Sequence, residues 1–293
     1  MIKNLVFKGG GVLGIAYAGV IDALEEKKVL QQIERVAGTS AGAIIATFIS
    51  LKYTTSDILK VVSTTDFQSF EDAWGPPQIS NKYGLYKGDA FLNWIKKCIA
   101  YKGLDEKATF TDFKKAGTLD LRVFATDLNE HVLKEFSVAK TPYAIVAEAI
   151  RASIAIPLFF EAWTFSNNIP DNHIYVDGGT ISNFPITAFD YADGTLNTET
   201  LGFYLTTING VSQPSTLQSN QPTQFIKDFF ETITSTQVID FEKKPEEKKR
   251  VVIIDDFGIS ATNFGLTDVQ KMRLYNSGKM ATVAYLANHH TIT

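Results

Sequence analysis

Two stretches near the N-terminus, VFKGGGVLGIAYAG from Val6 to Gly19 and VAGTSAGAIIA from Val36 to Ala46, decide how this chain is read. Each runs from a short apolar segment through small residues into a longer apolar segment, the pattern of a strand, a tight loop and a helix. Gly9 to Gly14 fits G-x-G-x-x-G. Glycines placed so either cradle a dinucleotide pyrophosphate or present backbone N–H groups to a developing oxyanion. The first reading needs an acid closing the second strand. Glu34, 20 residues beyond Gly14, is the candidate, yet it precedes the run Arg35 to Ala37, and that run ends in GTSAG.

Gly38, Ser40 and Gly42 form G-x-S-x-G between a strand and a helix, the setting in which a sharp turn lifts a serine hydroxyl above a sheet. Bulky neighbours would collide with such a turn, and the N-terminus of the next helix favours negative charge nearby. Alone, the motif fits better with a serine that merely caps its helix. The two loops together say more. If both strands are adjacent and parallel, the loops leave the same sheet edge and the Gly9 to Gly14 amides come close to Ser40, where an acyl oxyanion would form.

A serine nucleophile needs a proton acceptor. The histidines are His131, His173, His289 and His290. His173 stands four residues before Asp177, roughly 13 Å away along a strand. Asp177 itself ends the apolar IYV and begins DGG, at the C-terminal end of a predicted strand, where the sites of parallel sheets assemble. It could accept the serine proton directly, although Asp-Gly is a common turn dipeptide and, taken alone, the turn reading is the stronger.

Further along, DLRVFATDL, HIYVDGG, LGFYLTTI and KRVVIIDD read as strands. TPYAIVAEAIRASIAIP reads as a helix entered through Pro142 and ended before Pro157, and LTDVQKMRLYNSGKMATVAYLA as a helix capped by Thr267 and Gln270. NGVSQPSTLQSNQPTQ and EKKPEEKKR read as exposed loops. Alternating strands and helices imply an α/β fold with a mainly parallel sheet covered on both faces, and no linker divides residues 1–293. The aromatic segment IPLFFEAWTF is expected chiefly in the core, with some apolar contacts beside the site.

The bulk numbers narrow the function classes. With 293 residues, 45% hydrophobic and 20% charged, the chain has the composition of a folded domain. A net charge of -4 and scattered basic residues disfavour nucleic acid. The lone Cys98 suits a reducing, cytoplasmic compartment, while the sequence leaves delivery into another cell open. The longest uncharged apolar run, Ala41 to Leu51, is too short to span a bilayer, so membrane contact is expected to be peripheral. Asp255 and Asp256 would alternate faces on a strand without a His or Cys to complete a metal cluster, and the DFG triplet at Asp256 lacks a catalytic H-R-D partner. Neither metal nor cofactor is expected.

GGGVLG, GTSAG and DGG, in this order and spacing, resemble the patatin-like phospholipase family. The similarity extends through YGLYKGDAFLNWI, VFATDL, AEAIRASIAIPLFF, VDGGTISNFP and LTDVQKMRLYNSG, over nearly the whole chain. The resemblance implies a three-layer α/β/α patatin-like fold and a Ser-Asp dyad without histidine. Ser40 matches the nucleophile, Asp177 the dyad acid, and Gly9, Gly10 and Gly11 the oxyanion loop. It also implies an acyl-lipid substrate met at a membrane or micelle surface, with phospholipase A or lysophospholipase chemistry. Two positions depart from the family pattern. The family often has an acid before the glycines and commonly a Lys or Arg two positions after the third, where this chain has Lys8 and Leu13. Headgroup preference is therefore not carried over, nor is the need for a protein activator. Two other readings remain open on the residues: a Rossmann-type NAD(P)-binding oxidoreductase, and a catalytically silent patatin-like interaction protein.

Overall fold

The apolar run at the start of the chain is the middle of a sheet, paired in parallel on both sides and buried along its whole length. The computed structural model describes residues 1–72, 82–208, 221–237 and 244–289. In chain order its elements are β1 (Asn4–Phe7), α1 (Ala16–Glu26), β2 (Arg35–Thr39), α2 (Ala41–Ser50), α3 (Thr55–Thr64), β3 (Gly84–Tyr86), α4 (Asp89–Tyr101), α5 (Phe110–Lys115) and β4 (Asp120–Asp127). There follow β5 (Val132–Ser137), α6 (Val146–Ser153), β6 (Leu158–Phe160), β7 (Tyr175–Asp177), β8 (Thr200–Thr206), α7 (Pro222–Ser235), α8 (Pro245–Lys249), β9 (Val251–Asp255) and α9 (Asp268–His289).

The main sheet has the order β5-β4-β2-β1-β8-β9, with β7 also paired to β4. β4, β2, β1, β8 and β9 run parallel, which is the α/β architecture with a mainly parallel sheet expected from the sequence. β5 and β7 run antiparallel to β4. Alternation along each strand divides the core. Leu5 and Phe7 join the large cluster containing α1, α2 and Leu274 and Leu286 of α9, whereas Val6 faces Ala37, Phe124 and Tyr204 on the other side. That second face is covered by Phe184, Ile186 and Phe189. Leu5, Val6 and Phe7 are all fully buried, each worth about 1.5–3 kcal/mol relative to exposure.

Three local expectations are corrected. The stretch from Pro142 is not helical until Val146. Ile145 bridges Thr109, and the Pro142 carbonyl accepts both the N–H and the hydroxyl of Thr111, so these contacts hold the chain extended there. The polar segment ending in QPTQ runs into α7, with Pro222 in the first turn where its missing N–H costs nothing; residues 209–220 lie outside the described residues. Within EKKPEEKKR, Pro245–Lys249 is helical, and residues 242 and 243 lie outside the described residues. The Thr267–Gln270 cap forms as expected, Gln270 N–H donating to Thr267 Oγ1 and Thr267 N–H to Gln270 Oε1. Among the described residues no helix is long and apolar enough to cross a membrane.

Candidate active site

β1 and β2 are adjacent and parallel, with Phe7 opposite Gly38, so their loops do leave the same edge. Ser40 occupies the turn between β2 and α2 with φ 52° and ψ -124°, a conformation that costs a residue with a Cβ about 1–3 kcal/mol. The turn is tight because its glycines are in contact. A Cβ on Gly38 would fall 2.3 Å from the Gly42 carbonyl carbon, and one on Gly42 2.3 Å from the Phe7 oxygen. Ser40 stands at the N-cap of α2 yet its side chain makes no capping hydrogen bond, which removes the helix-cap explanation. Its backbone is held instead by Ser153. The Ser153 hydroxyl accepts the Ser40 N–H at 2.8 Å and donates to the Phe124 carbonyl at 2.6 Å, tying the turn to β4 from the end of α6. Nothing in the sequence singles out Ser153. Ser153→Ala strands both buried partners, so an unfolding free-energy loss of about 2–3 kcal/mol is expected, together with a lower kcat at little-changed KM for the folded fraction; denaturant melts and ester kinetics check it.

Asp177 reaches the serine by a route the sequence did not disclose. β2 pairs with β4 as far as Thr39 opposite Phe124, and β7 takes over the same side of β4 from the other direction, ending with Asp177 opposite Ala125. The two C-terminal strand ends therefore meet head to head along β4. Gly178 turns the chain there, packed so closely that a Cβ on it would fall 2.8 Å from Thr39 Cγ2. Asp177 is fully buried. Its N–H donates to Ala155 O and its own carbonyl accepts the Thr126 hydroxyl, while carboxylate Oδ1 accepts the Gly179 N–H at 2.7 Å. Oδ2 has no hydrogen-bond partner of regular geometry among the described residues. Burial pushes the Asp177 carboxyl up to about 7, against smaller opposing pulls from the Gly179 N–H and the nearby Ser40 hydroxyl.

The glycine loop packs directly on the turn, a Cβ on Gly9 falling 3.2 Å from Ser40 Cβ. The three glycines are not equivalent. Gly9 N–H donates to the Asn183 carbonyl at 2.8 Å, and Asn183 Nδ2 donates back to Gly9 O at 3.3 Å. The Gly9 amide is thus engaged within the fold. The Gly10 and Gly11 N–H groups have no acceptor among the described residues. Gly11 has φ +52°, with Ala261 O against the position of its absent Cβ, and the same oxygen accepts Val12 N–H at 3.0 Å. Asn183, also unmarked in the sequence, is itself fixed by Gln237, whose Oε1 accepts the Asn183 N–H while its Nε2 donates to Gly179 O.

The competing residues go elsewhere. Glu34 lies before β2, where Arg35 pairs with Asn4 at the opposite end of the sheet from the glycines, and it pairs with Lys3 at 3.3 Å; it cannot serve as a ribose acid for this loop. His173 Nδ1 is 2.8 Å from Asp127 Oδ2, a contact that raises its pKa. His131 is exposed in the turn between β4 and β5, His289 ends α9, and His290 lies outside the described residues. Asp127, Glu130 and His173 converge as potential metal ligands, but Lys134 Nζ sits 3.8 Å from Asp127 and 3.6 Å from Glu130. Asp255 and Asp256 brace the loop after β9 by accepting Phe257 and Gly258 N–H groups. Leu13 is buried. Lys8 bends inward to Leu205 O at 2.7 Å and over the Tyr204 ring, and burial lowers its pKa to about 8 in spite of Asp256.

Beside Ser40 opens an apolar cavity of about 90 Å³, bounded by Gly11 and Ala41 and walled by Phe48, Val61, Phe70, Trp94 and Phe160. Among the described residues none of its lining side chains is charged. Phe70, Phe91 and Trp94 pack edge to face or tilted at centroid distances of 5.3–5.5 Å, making one wall rigid. From the segment IPLFFEAWTF, Ile156 and Phe160 line this cavity, while Phe159 and Phe165 are core residues. The arrangement offers a hydroxyl beside a buried carboxylate, two amides with no acceptor among the described residues and an apolar slot.

The model of the patatin-like phospholipase family matches residues 5–190, a range containing both loops and Asp177. YqhO of Bacillus subtilis is 32% identical over 304 aligned residues, which cover 96% of this chain and 97% of that one. The probable lipid hydrolase 463L of Invertebrate iridescent virus 6 is 26% identical over 187 residues, 63% of this chain and 62% of its own. Among solved structures, VipD from Legionella pneumophila aligns with a TM-score of 0.65 at 19% identity, over 98% of this chain and 67% of VipD. ExoU, in its heterodimeric complex with SpcU from the type III secretion system of Pseudomonas aeruginosa, aligns with a TM-score of 0.53 at 16% identity, over 98% of this chain and 51% of that one. These two structures share the fold. With the family model spanning the site and a relative above 30% identity along almost its full length, the chain belongs to the patatin-like phospholipase family and is, broadly, a lipid acyl hydrolase.

Proposed function

We propose that the chain hydrolyses fatty-acyl esters of phospholipids or lysophospholipids through a Ser40–Asp177 dyad. The observation behind this reading is the Asp177 carboxylate, fully buried where β2 and β7 meet, with Oδ2 in no regular hydrogen bond among the described residues and the Ser40 hydroxyl near enough to pull on its pKa. Ser40 Oγ attacks the ester carbonyl carbon as its proton passes to Asp177. The carbonyl oxygen becomes an oxyanion held by the Gly10 and Gly11 amides, each such donor being worth about 3–4 kcal/mol in the transition state. Cleavage of the carbon–oxygen bond returns that proton from Asp177 to the departing alkoxide and leaves an acyl-serine. Water then attacks the acyl carbon, gives its proton to Asp177, and the fatty acid leaves as Ser40 Oγ is reprotonated. The acyl chain lies in the uncharged cavity, and aromatic walls of this kind accept it without polar desolvation.

Lipid-panel hydrolysis tests this directly. Phosphatidylcholine, lysophosphatidylcholine and triacylglycerol are presented with excess chelator, and products are identified by mass. The expected products are free fatty acid with a lysolipid or glycerophosphocholine, at undiminished rate in chelator because backbone amides do the carbonyl polarisation. Release of phosphate-bearing headgroups in place of fatty acid, or turnover that returns only when calcium is added to a soluble ester assay, contradicts the mechanism.

A further inference from the structure

α7 touches three parts of the site with its inward side. Near its start, Lys227 Nζ pairs with Glu71 at 3.3 Å and lies over the rings of Phe159 and Phe264, and Phe264 belongs to the cavity wall. One turn on, Glu231 Oε1 accepts the N–H of Ala261, the residue whose carbonyl holds Val12 after the glycine loop. At its end, Thr234 Cγ2 approaches Gly179, and Gln237 just beyond fixes Gly179 and Asn183. The helix is thereby seated against the cavity rim, the glycine loop and the loop after Asp177.

Its outward side inverts the usual pattern of a surface helix, which turns charge to water. Phe225 is 53% and Phe229 48% exposed, one turn apart, their rings stacked with 6.1 Å between centroids. The exposed residues around them, Gln221, Gln224, Thr232, Ser235 and Thr236, are uncharged. The three charged side chains of α7 are partly buried and engaged: Lys227 with Glu71, Glu231 with Ala261, and Asp228 with Gln224 Nε2.

We infer that this face of α7 docks on the surface of an electrically neutral lipid aggregate, a zwitterionic bilayer or micelle, and so holds the acyl cavity against the layer that contains its substrate. The inference rests on the lipid-hydrolase reading above. Charge selects the occupant: among the described residues the face carries no cation, on a chain of net charge -4, and so has nothing to draw anionic headgroups, whereas aromatic rings partition into the lipid–water interface. Two half-exposed rings offer on the order of 200 Å², far short of the roughly 800 Å² per partner that a stable protein interface buries.

The test compares the full chain with a Phe225→Ser/Phe229→Ser variant on vesicles of diether phosphatidylcholine, which has no acyl ester to cleave. Wild type is expected to float with these vesicles equally at low salt and at about 0.5 M salt, and the variant to bind roughly tenfold or more weakly. The variant should hydrolyse a soluble short-chain ester within about twofold of wild type, while its attack on diacyl phosphatidylcholine vesicles falls in step with binding. Should the double variant not fold, Phe225→Gln alone carries the same comparison. Undiminished vesicle binding by the variants overturns the proposal, as does wild-type binding that needs anionic lipid and is released by salt. A wild-type dimer that the substitutions convert to a monomer overturns it too, assigning the face to a second copy. Vesicle binding by a wild type that hydrolyses no ester overturns the hydrolase reading, whereas soluble-ester hydrolysis without vesicle binding overturns the docking surface alone.

Discussion

Ser40→Ala is expected to lower kcat/KM on a soluble short-chain ester by about four orders of magnitude or more, because the variant retains the cavity and the two amides but has no nucleophile to form the acyl intermediate. Ser40→Gly is expected to be equally inactive and also more stable, by about 1 kcal/mol, since glycine takes the φ 52°, ψ -124° turn without the Cβ penalty borne by serine. Steady-state kinetics and thermal unfolding of the two variants separate the effects. The pairing matters: loss of activity with a gain in stability marks a serine kept for chemistry at the fold's expense. Turnover within tenfold of wild type in a folded Ser40→Ala protein would remove the serine from the mechanism.

Asp177→Asn should lower kcat/KM by roughly 10²- to 10⁴-fold, the usual worth of general-base assistance, since a carboxamide oxygen does not take the serine proton as a carboxylate does. The pH dependence follows from burial. With its carboxyl held near 7, Asp177 is protonated and useless as a base below that value, so wild-type kcat/KM should fall about tenfold per pH unit on the acid side. Stability moves the opposite way. A carboxyl raised from 3.8 when unfolded to about 7 when folded binds its proton more tightly in the native state. It supports the fold fully below pH 3.8, and that support is lost as pH rises through 7. The asparagine variant has no such loss, so its thermal stability relative to wild type should improve from pH 4 to pH 7 and level off above it. Individual substitution of His131, His173, His289 or His290 should leave appreciable activity, and a loss of 10²-fold or more at any of them, with Asp177→Asn active, would reassign the proton acceptor.

What was legible in the sequence is what is encoded locally. The glycine loop and the serine turn each follow a short apolar strand, and small residues are compulsory where Gly38 and Gly42 touch backbone, so both motifs appear as spacing. Asp177 was legible as a residue but not as a direction. DGG at a strand end looks alike whether the strand is parallel or antiparallel, and only the long-range pairing of β7 with Ala125 to Asp127 turns the carboxylate toward Ser40 from the far side. Ser153, Asn183 and Gln237 each hold backbone groups of the site through two hydrogen bonds from distant segments, which leave no periodic or compositional trace. Gly9 shows the converse: a residue inside the motif whose amide a non-local partner, Asn183, has already claimed. α7 carries apolar residues at helical spacing, Ile226 and Phe230 on its buried side, but Phe225 and Phe229 repeat that spacing on the exposed side, so the sequence alone does not tell which face turns inward.

If Asp177 activates Ser40, the rate at which an alkyl fluorophosphonate modifies the protein reports that activation without any assumption about the lipid substrate. Labelled protein is digested and the adduct mapped, for wild type and Asp177→Asn, between pH 5 and pH 9. One adduct is expected, on Ser40, forming at a rate that rises through an apparent pKa near 7 in wild type and is at least about 10²-fold slower in the asparagine variant. An adduct on another serine, or labelling of Ser40 at the same rate and pH dependence with and without the Asp177 carboxylate, would contradict it.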